Sequence, residues 1–379
     1  MNRIYLDNAA TTPILPEVIE VINKSMFENF GNPSSTHQFG RSAKASIERA
    51  RKNIASYFKV SSSEIVFTSG GTEADNLILQ NAVVNLGVNT VITSKIEHHA
   101  VLHTVEFLRD TYGIEIIYLN IDEKGNVSID ELLNTLSVVE GKTLVSLMWV
   151  NNEIGNLLPI RKVADICKEH DALFHSDTVQ AIGHFELNLE EVQLDFMTAS
   201  AHKFHGPKGV GFAFIRKGCV VKPMLHGGDQ ERGSRSSTEN VHSIQGMEKA
   251  LELTYTNMEE DRKQIESLKS YFIKRLKEEF TEVQFNGESE SLNRSSYTVL
   301  NVRLPWVNKM MLFSLDLKGI AASGGSACQS GSNKGSHVLE EFLIDSEKEK
   351  ASVRFSFSKL NTIAEIETTI NVLKEFYVS

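Results

Sequence analysis

Leu194-Asp195-Phe196-Met197-Thr198-Ala199 runs straight into Ser200-Ala201-His202-Lys203-Phe204-His205-Gly206-Pro207-Lys208-Gly209, and Val210 to Ile215 turns apolar again. The first run is apolar at nearly every position, not at every second one, so it predicts a strand buried on both faces. A lysine just past the end of such a strand is a poor structural residue. Burial penalises its ammonium, depresses its pKa and leaves an amine able to form Schiff bases with aldehydes. The other reading of Lys203 is a loop lysine on a solvated turn.

Upstream, the same kind of run repeats. Ile65 to Thr68, Thr90 to Thr93, Ile114 to Leu119, Leu144 to Met148 and Ala172 to His175 read as strands. Helical patterns separate them: Glu73 to Leu86, His99 to Tyr112, Ile129 to Leu136 and Ile160 to His170. Alternation of β and α with continuously apolar strands implies a mostly parallel sheet covered on both faces. Ligands of such sheets sit beyond the carboxyl ends of the strands. The segment Val241 to Phe280 reads as one long helix whose charge-rich part, Met258 to Lys263, is a solvated face. It connects into a second, smaller domain with strands near Ser296 to Val302 and Ser352 to Ser356 and a closing helix from Ile363 to Tyr377. Gly324 to Gly335, rich in Gly and Ser around Cys328, reads as the most mobile stretch.

Composition narrows the class. A chain of 379 residues exceeds one ordinary core, so two domains are expected. A net charge of −10 with no basic stripe argues against a nucleic-acid partner. The first residues, Met1 to Asp7, carry no apolar leader run, and no apolar stretch approaches membrane-spanning length. Cys167, Cys219 and Cys328 are too scattered for a disulfide framework or a structural zinc site. The expectation is a soluble cytoplasmic enzyme.

Four strand-end clusters carry candidate chemistry. Thr68-Ser69-Gly70-Gly71-Thr72-Glu73 is a glycine-rich turn entering a helix, where backbone N–H groups can cradle a phosphate. It lacks the Gly-Lys-Ser/Thr of a nucleotide-binding P-loop; the alternative is a tight turn with Thr72 as helix cap. Glu97-His98-His99 offers a histidine that can stack on a ring or move protons, and no third group at close spacing makes it a metal site. Asp177, after the strand ending at His175, would be an uncompensated buried charge unless it faces a cation. A protonated pyridine nitrogen is such a cation, and its acidic partner makes pyridoxal phosphate an electron sink. Lys203, flanked by Ser200 and His202, is the fourth.

These clusters, in this order, resemble the cysteine desulfurases, pyridoxal-phosphate enzymes of the class-V aminotransferase superfamily. The resemblance runs end to end, through Tyr5 to Pro13, Gly31 to His37, Ser69 to Glu73, Val150 to Gly155, Asp177 to Gln180, Ser200 to Lys203, Gly227 to Gly233, Arg235 to Thr238 and Ser323 to Cys328. It implies an α/β fold. A large cofactor domain over 15–255 would hold a mostly parallel seven-stranded sheet between helices. A smaller α+β domain, 1–14 with 256–379, would carry the Cys328 loop. It implies Lys203 as the Schiff-base lysine, Asp177 at the pyridine nitrogen, Gln180 at the phenolic oxygen and His98 on the ring, with His98 also a proton carrier near the sulfur. Gly71, Thr72, Ser200 and His202 would hold the phosphate, joined by Thr238 from the partner subunit of a homodimer. Asn152 would lie near cofactor and substrate, and Arg354 would clamp the L-cysteine carboxylate. Cys328, on a loop of the long type, would be the nucleophile and persulfide carrier, handing sulfur to an iron–sulfur scaffold or a tRNA-thiolation enzyme. Cys167 and Cys219 would be structural. A selenocysteine lyase is the alternative on the same scaffold. A phosphate-binding NTPase and a catalytically silent interaction protein are rivals from other classes. Two departures from the family pattern stand out: Ser358-Lys359 after Arg354, and Gly228-Asp229-Gln230-Glu231.

Overall fold

The computed structural model describes residues 3–324 and 335–378. In chain order the first half runs β1 (Ile4–Tyr5), α1 (Pro16–Glu28), α2 (Gln38–Tyr57), β2 (Ile65–Thr68), α3 (Gly71–Val84), β3 (Thr90–Thr93), α4 (His99–Tyr112) and β4 (Glu115–Tyr118). There follow α5 (Ile129–Leu136), β5 (Thr143–Ser146), α6 (Ile160–Glu169), β6 (Leu173–Asp177), β7 (Phe196–Ser200), β8 (Gly211–Ile215) and α7 (Val241–Glu279). The last part holds β9 (Gln284–Phe285), β10 (Val299–Arg303), α8 (Met311–Leu317), β11 (Ile320–Ala321), α9 (His337–Glu340), α10 (Asp345–Lys348), β12 (Ser352–Ser356) and α11 (Ile363–Val378). The expected Cys328 loop, including Ser326, Ala327 and Gln329 to Gly331, lies outside the described residues.

Seven strands form one sheet in the order β2-β8-β7-β6-β5-β3-β4. Every strand of it runs parallel except β8, which is antiparallel to both neighbours. The exception follows from chain length. The connection from Ser200 to Gly211 holds only a short 3-10 turn, whereas a parallel crossover needs a dozen or more residues and usually a helix. Alternate side chains feed two cores. Ile65, Phe67, Val145, Phe174, Met197, Phe212 and Phe214 pack with α1, α2 and the first part of α7. Val66, Val91, Leu144, Phe196 and Ala213 pack under α3 and α4. Both faces are dry, which is why the strands read as unbroken apolar runs; each large side chain so buried is worth about 1.5–3 kcal/mol. The edge strand β4 is partly exposed along its length.

A second core lies around the three-stranded antiparallel sheet β12-β10-β9 and the parallel pair β1-β11. Phe272, Leu300, Val353, Phe355, Ile366, Ile370 and Leu373 fill it, joined by Ile4 and Leu6 from the N-terminus. Helix α7 serves both cores, through Met247 and Leu251 at one end and Ile265, Leu268 and Phe272 at the other.

Candidate active site

The carboxyl ends of β2, β3, β5, β6 and β7 converge on a cavity of about 190 Å³, closed on the far side by Ala9, Ala10 and Arg354. A larger concavity of about 650 Å³, bounded by Pro33, Lys44, Glu48 and Arg232, contains none of the expected site residues. Into the smaller one the fold brings Gly71, Thr72, His98, Asn152, Asp177, Gln180, Ser200, His202, Lys203 and Arg354.

One end is built for an anion. Helix α3 begins at Gly71, two residues earlier than expected, with Gly70 as its cap. Thr72 therefore sits inside the first turn and is not the cap. The first N–H groups of a helix have no partner within it and carry the positive end of its dipole. Glycine is required at 71 because a Cβ there would come 2.7 Å from Val179 Cγ2. Burial works to raise the Glu73 carboxyl, but the Arg235 guanidinium and the Ser69 donors outweigh it and hold it below its ordinary range. Ser200, the last residue of β7, is buried beside this turn. His202 Nδ1 lies 3.2 Å from Thr11 Oγ1. Burial, then Lys203 and Lys208, push His202 down to about 4, so at neutral pH the ring is uncharged and offers one N–H.

The opposite end is built for a cation. Asp177 closes β6 and is 7% exposed. Its Oδ1 accepts from Val179 N at 2.9 Å and faces Thr198 Oγ1 at 3.5 Å. Asp75, which the sequence reading did not single out, stands beside it, 1% exposed and with Oδ1 3.4 Å from His175 Nε2. Burial and then the Asp177 charge raise the Asp75 carboxyl well above its ordinary range. Burial alone takes His175 down to about 3, so that ring is no cation. Asp75 lies four residues past Gly71, on the same face of α3, and that spacing was a usable signal. His98 caps α4, its Nδ1 accepting from Ala100 N at 3.1 Å. Burial lowers its pKa against the pull of Asp177. Ligand atoms of Asp75, His98 and Asp177 all lie within 4.8 Å of one another. Glu97-His98-His99 has no third ligand at close spacing along the chain; the fold supplies two carboxylates to His98 instead. Such a set attracts a cation, and a pyridinium N–H meets that demand as a metal ion would.

Between the two ends lies Lys203, half-buried in the 3-10 turn after β7. Its Nζ donates to the carbonyls of Ala9 at 2.6 Å and Ala10 at 2.9 Å. Gln180 Nε2 donates to the same Ala9 carbonyl at 2.9 Å. Arg354, in β12, is 1% exposed. Its Nη1 donates to Asn152 O at 2.8 Å and its Nη2 to Asp7 Oδ1 at 2.9 Å. Among the described residues its Nε has no hydrogen-bond partner, and neither does the buried Oδ1 of Asn152. A buried donor and a buried acceptor left unmatched at one cavity call for a ligand that carries both kinds of group. Asp7, Ala9 and Ala10 were read from the sequence only as part of the Tyr5 to Pro13 motif, with no role attached.

Other expected residues fall elsewhere. Thr238 is exposed and lies outside this chain's own cavity. The loop before it is anchored where the sequence departs from the family pattern. Buried Glu231 takes Arg51 in a fork of 2.6 and 2.8 Å and accepts from Phe67 N at 2.9 Å. Ser358 and Lys359 stand clear of the cavity, with Lys359 Nζ 2.9 Å from Asp261 Oδ2. Cys167 is buried in α6 and burial raises its thiol far above the usual range. Half-buried Cys219 is pushed up to about 11, also mainly by burial. Neither is a ready nucleophile.

The pattern defining the class-V aminotransferases matches residues 4–369. The chain is 41% identical over 377 residues to a cysteine desulfurase IscS of Dictyoglomus turgidum, covering 98% of this chain and 94% of that one. It is 40% identical to a putative cysteine desulfurase IscS 1 of Bacillus subtilis, covering 97% of each. Among solved structures, a NifS-like protein aligns with a TM-score of 0.90 at 35% identity over 99% of both chains. A NifS-like protein from Rickettsia africae aligns with a TM-score of 0.88 at 33% identity over the whole of each.

Proposed function

The chain belongs to the cysteine desulfurase branch of the class-V aminotransferase family, and from that premise we propose how its own residues divide the work. It is a pyridoxal-phosphate enzyme that removes sulfur from L-cysteine as a persulfide and releases L-alanine. The observation that carries the residue assignment is the polarity of one cavity. A helix N-terminus with Ser200 and His202 lies at one end, Asp177 with Asp75 lies at the other, and an amine stands between them.

Gly71, Thr72, Ser200 and His202 would hold the phosphate, and Asp177 the ring nitrogen. His98 would cover the ring, and Gln180 would reach its phenolic oxygen. When bound, the cofactor supplies an electron sink for charge developing at the substrate Cα. Lys203 Nζ, held by two backbone carbonyls, would attach the cofactor and carry the Cα proton. Asp75, whose carboxyl is raised by burial and by the Asp177 charge, stands beside Asp177 at the ring-nitrogen end. Arg354 and Asn152 orient the substrate carboxylate. The Cys328 thiolate attacks the substrate sulfur. An S–S bond forms, the Cβ–S bond breaks with its electron pair left on carbon, and Cβ takes a proton, for which His98 would be the carrier.

Three further parts of the reading extend it. The exposure of Thr238 suits a residue that serves the cavity of a second copy, in a homodimer. The IscS-type relatives favour an acceptor in iron–sulfur cluster assembly over one in tRNA thiolation, and we place the reaction in the cytoplasm. Among the described residues no helix is long and apolar enough to cross a membrane. The two cores suit a division near residue 255, with 1–14 joining the C-terminal part.

The test is mass spectrometry after one turnover with cysteine and no acceptor. The expected result is one extra sulfur on Cys328, lost in Cys328→Ser with cofactor retained. Sulfur on Cys167 or Cys219, or full activity in Cys328→Ser, refutes the assignment. Borohydride reduction that fixes the cofactor to any lysine but Lys203 refutes that half.

A further inference from the structure

We propose that Glu153 and His337 are positioning residues for the desulfuration, fastening the chain that follows residues 325–334 to the turn that carries His98. The inference rests on the reading of Cys328 as nucleophile, and it concerns only residues outside the cofactor cavity.

Glu153 is wholly buried, in the turn between Asn151 and Asn156. Its backbone is locked from both sides. Its N–H donates to Asn151 Oδ1 at 2.9 Å, and its carbonyl accepts from Asn301 Nδ2 at 3.0 Å. Its carboxylate accepts from Ser336 Oγ and lies 3.6 Å from His337 Nδ1. A carboxylate in that position needs compensation by donors and by charge. Ser336 supplies a donor where α9 starts, with the His337 ring beside it, and Ser336 Oγ also caps that helix by accepting from Leu339 N at 3.0 Å.

The other ring nitrogen of His337 reaches the cofactor side. Nε2 lies 2.9 Å from the backbone carbonyl of Glu97, the residue before His98. A carbonyl only accepts, so Nε2 carries a hydrogen. The Glu153 carboxylate stands on the Nδ1 side of the same ring. The Glu97 side chain fixes the same turn from within, accepting from Met148 N at 2.9 Å and Ser94 Oγ at 3.2 Å. The His337 ring lies against His99, centroids 4.3 Å apart. Burial, with His337 and His103, takes His99 down to about 4. Underneath, Ile96, Ile154, Val338 and Leu339 form a small apolar cluster of their own. The polar clamp therefore joins three segments at one point: the His98 turn, the Asn152 turn and the start of α9.

A clamp of this kind acts on where Cys328 is tethered, not on cofactor binding, and that separates it from a merely structural role. In the holoenzyme, His337→Gln keeps a donor for the Glu97 carbonyl but removes the ring that stands beside Glu153, and Glu153→Gln removes the carboxylate. Each is expected to lower kcat at least tenfold while KM for cysteine and cofactor affinity stay within twofold. The double variant is expected to lose no more than the worse single, because the pair acts as a unit. His337→Gln sits on a partly exposed residue, so it keeps the test open should Glu153→Gln fail to fold. Wild-type kcat in His337→Gln, a fall shared by cofactor affinity, or additive losses in the double variant would overturn the proposal. The rate of Cys328 alkylation without substrate, expected to change several-fold in the same variants, needs no turnover. An unchanged rate counts against the fastening, whereas full activity in Cys328→Ser counts against the nucleophile assignment, so the two failures are told apart.

Discussion

Replacing Arg354 by alanine removes a guanidinium that is 1% exposed and already half committed. Nη1 holds the Asn152 carbonyl and Nη2 holds Asp7, leaving Nε and the remaining N–H groups for substrate. Losing one partner of a desolvated, hydrogen-bonded charge pair costs roughly 2–5 kcal/mol. At 1.4 kcal/mol per factor of ten, that is about 30-fold to a few thousandfold in KM for cysteine. The cost to the free enzyme is softer, because the Asp7 side chain is 17% exposed and water can replace the lost donor. Arg354→Lys should recover only part, since a point charge cannot serve Asp7 and a substrate carboxylate together. Asp7→Asn should move the other way. The amide oxygen can still accept from Arg354 and from Ser323 Oγ, now 2.8 Å away, while the competing negative charge is gone, so KM should fall. The assay is steady-state alanine formation against cysteine concentration, with cofactor content followed by its visible absorption. An unchanged KM in Arg354→Ala, or a KM raised by Asp7→Asn, would show that the carboxylate is bound elsewhere.

The two carboxylates at the ring-nitrogen end should respond unequally. Burial and the Asp177 charge raise the Asp75 carboxyl, so Asp75→Asn is expected to leave cofactor affinity within about threefold, whereas Asp177→Asn should lose at least a hundredfold in alanine formation; equal losses refute the division. Lys269, wholly buried in α7, donates to Ser295 Oγ at 2.9 Å and Ser296 O at 2.7 Å and is taken down by burial from 10.5 to about 7. Between those values the unfolded chain holds more protons, so this residue makes stability rise with pH across that window and leaves it lowest below pH 7. Lys269→Met should flatten that part of the pH dependence of Tm, read by calorimetry as the difference from wild type; an unaltered slope refutes it.

The sheet was legible because its physics is local. A strand dry on both faces must be apolar throughout, and the four residues Phe196 to Ala199 show this. The antiparallel course of β8 was not read, although the short link from Ser200 to Gly211 contains its cause. Helix α2 also went unread, although Ala43, Ile47, Ala50 and Ile54 recur on one buried face. In the site, residues at strand ends were findable because the fold class says where strand ends meet. What sequence pattern could not supply were contacts created by register. Asp7 reaches Arg354 across 347 positions because β1 pairs with β11 and Asp7 bridges to Ser356.

The turn Asn151-Asn152-Glu153 shows why a recognised motif still conceals chemistry. Asn151 turns inward and closes the loop, its Oδ1 accepting from the N–H groups of Glu153 at 2.9 Å and Ile154 at 3.1 Å. Asn152 lines the cavity and leaves a buried oxygen to be satisfied by a ligand. Glu153 points to the opposite side and engages Ser336 and His337. A tight turn sends successive side chains in different directions, so three adjacent polar letters serve structure, ligand and a distant segment in turn. Matched as a block, they identify a family. Only the backbone that fans them apart shows that Glu153, the one charged residue of the three, belongs to the chain beyond Cys328 and not to the cofactor.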